Sequence, residues 1–421
     1  MAFVKAVMAA CLAGSATAFA PSITPSMGLR SFIVEKIGAQ RLPGATRRWA
    51  IAVPMDSLRT APAVPPPQFD IGAEPPFTLK DIRDAIPAKC FKKDAWRSVS
   101  YLFRDLAVVA GLAVGAGMLN NPLVWPLYWA AQGTMFWALF VVGHDCGHGS
   151  FSNSKRLNDI IGHLCHASIL VPYHGWRISH RTHHANHGNI ETDESWVPMT
   201  KSAVEETDWT GKMARFNPIV MLLAYPFYLF LRTPGESGSH FDPKCDLFVD
   251  SEAGDVKTSA RWYAGMLAVL AAVGAKFGFL FLAKMYLVPY AINVMWLDLV
   301  TYLHHTDPEV PWYRGSAWNY MRGGISTRDR DYGIINNIHH DIGTHVVHHL
   351  FPQIPHYNLC EATKAVKPVL GEYYKEPEKS GILPFHLIKQ YLKGTQDCIY
   401  VPDEGEVVYY QPDDGVLAGK K

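Results

Sequence analysis

Residues 144–184 decide the fold, because they begin with His144-Asp145-Cys146-Gly147-His148 and end with His180-Arg181-Thr182-His183-His184. A third cluster with the pattern of the second, HVVHH, follows far downstream at residues 345–349. Residues three or four apart share one face of a helix, so each box presents at least two imidazoles together. An isolated HxxxH is more often a polar helix end. Three converging boxes predict a metal site, because so many imidazoles would repel one another if protonated and lack partners if buried.

The composition is typical of a membrane protein. Hydrophobic residues make up 48% of the 421 residues and aromatic residues 12%, concentrated in long apolar runs between polar blocks. The 39 Lys and Arg nearly balance the 38 Asp and Glu, so the charge gives no indication of a nucleic-acid partner. The seven cysteines show no CxxC spacing and are interpreted as free thiols in a reducing compartment.

The first 75 residues are predicted to be targeting sequence and linker. Residues 1–18 have a positive start at Lys5, a short apolar centre and a small-residue end, which is typical of a signal peptide. Residues 19–75 are predicted to be a transit peptide, rich in hydroxyls and arginines, followed by a proline-rich linker. This two-part leader favours a plastid membrane. An ordinary secretory leader followed by a disordered arm is the alternative.

The folded part is predicted to be a membrane domain over residues 76–377, with a polar tail at 378–421. It opens with a helix for which Thr78 is a candidate N-cap. Four apolar runs follow, each near the roughly 20 residues that cross a bilayer. They are residues 102–119, 123–143, 262–282 and 285–303.

We therefore expect an all-α integral membrane protein with about four transmembrane helices in two hairpins. Two shorter apolar stretches, 160–172 and 216–231, are predicted to be interfacial helices. Lys276 and Asp298 are costly in lipid, so they should face protein or a membrane edge, or Lys276 should extend to the surface. An even number of spans would place all three boxes on the same side of the membrane, where they could meet in one polar helical cap.

The number of box histidines exceeds the four ligands of one structural zinc and matches two metal sites. Imidazole donors suit zinc, copper or iron, so ligand type alone does not separate di-iron from di-zinc. A hydrolytic zinc site would require a HExxH motif, which the sequence lacks. The membrane setting favours a lipid substrate, whose chains offer little but C–H bonds to an oxidant.

From about residue 77 to about residue 377, the sequence resembles the membrane acyl-lipid fatty-acid desaturases. GHDCGHGSFS at 143–152 is similar to the family's first box, and HGWRISHRTHH at 174–184 with NHG at 186–188 is similar to its second. NNIHHDIGTH at 336–345 and HHLFPQIPHY at 348–357 resemble the omega-3 form of the third rather than the delta-12 form. One departure is HHTD at 304–307, where omega-3 members usually carry a histidine-rich run, and it could bear on chain-position choice.

The resemblance implies two iron ions, with dioxygen as co-substrate, held by the box histidines and one histidine near the end of the fourth span. His305 matches that last position best, and His304 is the competitor. The implied ligands are His144, His148, His180, His183, His184, His305, His345, His348 and His349.

Other polar residues could hold the ring N–H groups of these ligands, as metal-bound histidines generally require. The candidates are Asp145, His304, His339, His340 and Asp341. The remaining histidines are interpreted as structural or surface residues, with His174 and His187 the most worth rechecking because they flank the second box. They are His163, His166, His174, His187, His240, His356 and His386.

The implied activity is insertion of an omega-3 cis double bond into acyl chains of glycerolipids, of the linoleoyl to alpha-linolenoyl type. Two electrons would come from a separate protein, since no haem, flavin or nicotinamide motif is visible: ferredoxin in a plastid, a small haem protein in the endoplasmic reticulum. Aromatic residues of the spans are candidates for the acyl channel, namely Tyr128, Trp129, Phe136, Trp137 and Trp296.

Three alternatives remain at this point. A delta-12 desaturase or a related acyl-lipid hydroxylase would carry the same boxes. A histidine-rich metal transporter is the remote alternative, and it is disfavoured because transporters bind ions at mid-bilayer, whereas here each box lies just outside an apolar run.

Overall fold

A computed structural model describes residues 69–232 and 238–418 of the chain. The predicted signal peptide, and all but the last few residues of the predicted transit peptide and linker, lie outside the described residues. Helices dominate the described part, and a two-stranded antiparallel sheet pairs β1 (Trp312–Tyr313) with β2 (Val407–Val408).

The helices are numbered in chain order. They are α1 (Leu79–Ala85), α2 (Ala95–Leu119), α3 (Val124–His148), α4 (Lys155–Ser168), α5 (Tyr173–Asn186), α6 (Lys201–Glu206), α7 (Trp209–Phe216), α8 (Pro218–Met221), α9 (Tyr225–Leu231), α10 (Ala253–Phe277), α11 (Phe279–Leu282), α12 (Val288–His305), α13 (Tyr320–Ile325), α14 (Ile335–Ile338), α15 (His345–Leu350), α16 (His356–Leu370) and α17 (Phe385–Asp397).

Helix α1 begins where the sequence predicts. The Thr78 side chain accepts a hydrogen bond from the backbone of Asp81, and the Asp81 carboxylate accepts one from the backbone of Thr78. This reciprocal pair is a capping box, which satisfies two of the backbone donors that a helix start leaves free. The predicted N-cap is confirmed.

Two stretches are long and apolar enough to cross a bilayer by length and composition. They are α2 and the continuous run from α11 through α12, Phe279–His305. Helices α3 and α10 coincide with the other two predicted spans and have 25 residues each, or about 37 Å at the usual rise. Helix α3 is central and packs against α2, α4 and α12.

The close packing of α3 on α12 depends on Gly133. A Cβ atom at this position would lie 2.5 Å from the Cβ of Ile292. Only glycine lets the two helix backbones approach this closely. Helix α3 is thereby packed closely against α12, whose last residue, His305, belongs to the predicted site.

The third predicted span ends earlier than the sequence indicated. Helix α10 stops at Phe277, and Gly278 has a φ of 88°, a conformation that favours glycine. The prediction that this helix continues to residue 282 is wrong, because the chain turns at Gly278 and residues 279–282 begin the next helix. Lys276 therefore lies exposed in the last turn of α10 rather than inside a span.

A π-helical turn, Ala283–Leu287, interrupts the fourth span between α11 and α12. Two carbonyls of this turn accept hydrogen bonds from α3. The Tyr128 hydroxyl donates to the carbonyl of Met285 at 2.8 Å, and the Trp129 indole donates to that of Lys284 at 2.9 Å. The turn is thus anchored to the neighbouring helix.

The predicted interfacial stretches are short helices. Residues 160–172 fall mostly in α4, which packs on α3. Residues 216–231 form α8 and α9, in which Pro218 and Pro226 occupy the first helical turn, where proline is well tolerated. Phe227 and Ile219 are 67% and 73% exposed, so this region presents apolar side chains to its surroundings.

The polar cap is built from α5, α13, α15 and α16. Helix α15 packs between α13 and α16, α13 also contacts α5, and α1 covers α16. The segment described from sequence as a polar tail folds back onto this domain, because α17 packs against α12 and β2 pairs with β1. Leu387 and Val401 are among its buried residues.

Candidate metal centre

The three boxes and the end of α12 meet in two adjacent sets of imidazoles. In the first set, the ligand nitrogens all lie within 4.8 Å of one another. The second set consists of two triads that share His305, each with its nitrogens within 4.8 Å. Group one contains His144, His148, His180, His184 and His348, and group two contains His183, His187, His305, His345 and His349.

Helical spacing explains how the second and third boxes divide between the groups. His180 and His184 are four residues apart on α5 and belong to group one, whereas His183, one residue before His184, points to group two. Adjacent helical residues are about 100° apart around the helix axis, so two neighbouring histidines point to different groups. The same rule separates His348 from His349 on α15.

The distances between ring nitrogens fit ligands of shared ions. The Nε2 atoms of His144 and His148 are 3.2 Å apart, and the Nε2 of His345 is 3.1 Å from those of His305 and His349. Two nitrogens that each lie about 2.1 Å from one ion, at a right angle, would be about 3 Å apart. Neutral imidazoles facing each other without a cation would bring lone pairs together, so the donor set fits a metal.

Burial keeps the cap histidines in the neutral form that binds metal. Desolvation, followed by repulsion from the neighbouring imidazoles, holds the pKa of His180 and of His184 well below its usual value. The pKa values of His345, His348 and His349 are lowered well below normal for the same reasons. Protons therefore do not compete with a metal for these nitrogens near neutral pH.

Asp193 supports group two and was not identified from the sequence. The Nδ1–H groups of His183 and His187 donate to its two carboxylate oxygens at 2.7 and 3.1 Å. Burial opposes the charged carboxylate, but the charge and hydrogen bonds of the two histidines outweigh it and lower the pKa of Asp193. The only sequence signal was a run of acidic residues, 191–194, shortly after the second box.

Asp145 supports group one less directly. Its Oδ1 lies 3.7 Å from the Nδ1 of His144, and its Oδ2 accepts a hydrogen bond from the Nδ1–H of His356 at 2.9 Å. His340 extends this buried network, because its Nε2 lies 2.7 Å from a carboxylate oxygen of Asp105. His356, interpreted from sequence as structural, therefore positions the carboxylate beside a group-one ligand.

The structure places His305, and not its neighbour His304, in group two. His304 uses both ring nitrogens elsewhere: Nδ1 bonds the carbonyl of Arg328, and Nε2 lies 3.0 Å from the Tyr332 hydroxyl. Its ring stacks on His345 with centroids 4.2 Å apart. His304 thus packs against a group-two residue without belonging to the group.

Three other candidates for holding ligand rings have different neighbours. His339 packs between Trp137 and Trp296, at centroid distances of 6.0 and 4.8 Å. The ring of His340 lies against that of His356, with centroids 4.5 Å apart, and the side chain of Asp341 interacts with Cys360. These residues lie near the site but belong to neither group.

The other histidines, His187 excepted, lie outside the two groups. His174 accepts a hydrogen bond from Arg177, His166 bonds the carbonyl of Phe140, and His240 bonds that of Leu229. His163 stacks on Trp262. His386 is on α17. Of the two histidines flanking the second box, His187 joins group two and His174 does not.

A cavity of about 410 Å³ leads to both groups, a size within the usual range for small-molecule sites. Its walls are mainly apolar and aromatic side chains of α3, α9 and α12, including Trp137, Tyr225 and Leu297. Members of both groups line it, namely His144, His180, His183, His305 and His345.

Of the five aromatic channel candidates, one lines the cavity and four have the packing role that is more usual for such residues. Trp137 lines the cavity. Tyr128 and Trp129 instead bond the π-helical turn, and the Trp296 indole donates to Thr134. Phe136 packs in the core against Tyr286. Asp298 faces the cavity and accepts a hydrogen bond from the backbone of Tyr225, which confirms that it faces protein.

The fold and the site together define a helical protein with paired histidine metal sites at the end of an apolar cavity. A family model described as fatty acid desaturase matches residues 120–378. This match covers more than half of the chain, which therefore belongs to the fatty acid desaturase family. A domain of unknown function matches residues 56–114.

Characterised relatives are similar over most of their length. The chain is 62% identical over 348 residues, 82% of this chain and 79% of the relative, to a chloroplastic sn-2 acyl-lipid omega-3 desaturase (ferredoxin) of Helianthus annuus. An Arabidopsis thaliana protein of the same name is 56% identical over 94% of this chain and 90% of its own. An endoplasmic reticulum omega-3 fatty acid desaturase of Vigna radiata is 57% identical over 82% and 91%.

Proposed function

We propose that this protein is an acyl-lipid omega-3 desaturase that holds two irons in groups one and two. The observation that carries the proposal is the position of both histidine groups along one apolar cavity. The high identity to relatives named omega-3 desaturases supports the position of the new double bond. The substrate is an acyl chain of a membrane glycerolipid, of the linoleoyl to alpha-linolenoyl type.

The chemistry requires a redox-active metal, and membership of the fatty acid desaturase family favours iron. Ten imidazoles in two groups, without thiolates, suit iron, copper or zinc. Breaking an unactivated C–H bond needs a redox-active ion, and zinc has no redox chemistry. When bound, the irons would use dioxygen and two external electrons to remove two hydrogen atoms from neighbouring carbons.

The protein's own contribution is to position the acyl chain and exclude water. Apolar walls such as Val141, Leu297 and Ile342 favour methylene groups over water in the cavity. The histidines of both groups that line it lie on α3, α5, α12 and α15, so the chain would pass beside both ions. Fixed walls then select which carbons are oxidised.

The four long helices are proposed to span a membrane. Large apolar side chains on α2, α3 and α11 are exposed: Met118 is 81%, Leu127 73% and Phe279 73% accessible. Lipid would cover such surfaces, which are unusual on a monomeric soluble protein. The membrane is proposed to be that of a plastid, as for the chloroplastic relatives, with residues 1–18 and 19–75 as the leader and 76–377 as the membrane domain.

The electron donor is proposed to be ferredoxin, which the names of two relatives specify. A small haem protein would take this role if the protein resides in the endoplasmic reticulum, as the Vigna radiata relative does. Activity of the purified protein with each reduced donor distinguishes the two.

Lipid analysis of a desaturase-free host tests the activity. The host expressing this chain with ferredoxin, and supplied with linoleate, should accumulate an omega-3 trienoate in its glycerolipids. A His348→Ala variant should not. Conversion of oleate to linoleate without any trienoate would contradict the omega-3 assignment. Activity in a purified protein shown to contain no iron would contradict the metal assignment.

A further inference from the structure

His187 is the residue of group two that the box pattern does not include. It follows the last residue of α5 and is 2% exposed. Its ring lies against His305, His183 and His349, with centroids 4.7, 5.1 and 4.8 Å away. Its ligand nitrogen lies within 4.8 Å of those of His183 and His305. It is therefore inside the group rather than beside it.

The hydrogen bonding of His187 leaves one nitrogen available for a metal. Nδ1–H donates to the Asp193 carboxylate at 3.1 Å. Nε2 is buried and makes no hydrogen bond of good geometry within the described residues, although the backbone of Ser326 lies near the ring. Metal-bound histidines generally donate one ring N–H to a carboxylate or carbonyl while the other nitrogen binds the ion. His183, an implied ligand, is held by the same carboxylate in the same way.

His304 shows what a buried structural histidine looks like in the same neighbourhood. It is also completely buried and stacks on a group-two ring. However, both of its nitrogens have hydrogen-bond partners, Arg328 and Tyr332. Buried histidines outside the groups, such as His339, can also have an unpartnered nitrogen. What distinguishes His187 is that its ligand nitrogen lies within 4.8 Å of those of His183 and His305.

The spacing along the chain agrees with this contrast. His180 and His184 are four residues apart and both lie in group one. His183 and His187 are also four residues apart and both lie in group two. The second box is therefore two overlapping pairs, HxxHHxxH, offset by three residues, or about 300° around the helix axis.

We infer that His187 is a tenth metal ligand and completes five imidazoles around the second ion. The inference rests on the proposed di-iron function. Each ion would then have five imidazoles, which leaves one position of a six-coordinate site for an exogenous ligand. With only nine histidines, the second ion would have four imidazoles and be less fully enclosed than the first.

The test compares His187→Gln with His174→Gln in the full chain, purified in detergent after growth with ⁵⁷Fe. Glutamine keeps a side chain that can bond Asp193 but removes the imidazole ligand. His174 is a matched control because it is buried, flanks the same box and lies outside both groups. The readouts are iron per chain and the Mössbauer spectrum, neither of which depends on turnover.

Wild type and His174→Gln should hold about two irons per chain with the same spectrum. His187→Gln should change or lose the signal of one iron and keep the other, and its second iron should bind about 10- to 100-fold more weakly. Both irons retained with an unchanged spectrum in His187→Gln would overturn the inference. Iron-free wild type would instead contradict the proposed function, and the inference with it.

A second variant guards against a folding defect. His187→Gly leaves a space the size of the ring, and added imidazole should restore the wild-type Mössbauer signal if the ring is a ligand. Restored thermal stability with the altered iron signal unchanged would show that the ring only fills space, which would also overturn the inference.

Discussion

Group one and group two differ in where their histidines lie along the chain. His180, His184 and His348 of group one lie within α5 and α15, so the helix period orients them. Group two draws more on element ends: His187 follows α5, His305 is the last residue of α12 and His345 is the first of α15. In group one, His148 alone has such a position, as the last residue of α3. Helix ends constrain a side chain less than helix interiors do.

The carboxylates that support the two groups also differ, and the group with fewer ligands inside helices has the closer carboxylate. Asp193 holds two rings of group two through direct hydrogen bonds, whereas Asp145 is 3.7 Å from the one group-one ring it approaches. Where the backbone determines ligand position less, a carboxylate determines it more. A metal site can thus be preorganised either by secondary structure or by hydrogen bonds to its ligands.

The largest expected effect follows from replacing His305, which both triads of group two share. His305→Ala should lower trienoate output at least about 100-fold and reduce iron from about two to about one per chain, because group one remains intact. Fatty-acid analysis and iron content measure these outcomes. His386→Ala, on the distant helix α17, is the control. A variant with both irons would show that the groups are not separate sites.

Replacing the two carboxylates tests the comparison directly. Asp193→Asn should lower activity about 10- to 100-fold, since an amide cannot accept from both rings as a carboxylate does. Asp145→Asn should have a smaller effect, because Asp145 only approaches His144. Iron affinity, measured by competition with a chelator, should change in the same order. A larger loss in Asp145→Asn would reverse the proposed difference between the groups.

Narrowing the cavity should reduce activity without disturbing either group. Ala224 lines the cavity, and Ala224→Trp should lower conversion of linoleate by about tenfold or more through misplacement of the chain. Iron content should stay at the wild-type value. Leu123→Trp, at a position that is 82% exposed, is the control. Loss of iron in Ala224→Trp would show that the wall also supports the metal sites.

The smallest effect on activity is expected at the ion pair next to Asp193. Arg232 and Glu194 are both buried and lie 2.7 Å apart. Arg232→Met leaves the Glu194 carboxylate buried without this partner, which typically costs about 3–5 kcal/mol. The thermal midpoint in detergent should fall. Because Arg232 also lines the cavity, activity well below that midpoint should fall slightly, by less than in Ala224→Trp. Lys80→Ala, in an exposed pair on α1, should leave the midpoint unchanged.

Much of the candidate site could be predicted from the sequence because most of its histidines lie in short motifs. The i, i+4 spacing places two rings on one face, and the nine predicted histidines all lie in the two groups. His187 was interpreted as structural or surface because it lies beyond the HxxHH pattern, although its position beside the second box singled it out. His356 could not be assigned, since its partner Asp145 is 211 residues away.

The fold was predictable to a similar degree. Apolar runs located the four long helices, because burial and lipid contact both select apolar side chains. Their ends were less certain: Gly278 stops α10 through its backbone conformation, which hydrophobicity does not reveal. Cavity walls were mostly mispredicted, since an aromatic residue in a span packs equally well against protein, lipid or substrate.

The π-helical turn at residues 283–287 has a consequence for the choice between the paired histidines at the end of α12. Such a turn contains one residue more than an ordinary helical turn. Every side chain that follows it is rotated by about 100° relative to an uninterrupted helix, which is the angle between adjacent residues. Converting the turn to regular α-helix with the same residues would bring His304 to the orientation now held by His305. The extra residue in this turn, which Tyr128 and Trp129 anchor, thus sets the rotation of α12. That rotation places His305, and not His304, in group two some eighteen positions later.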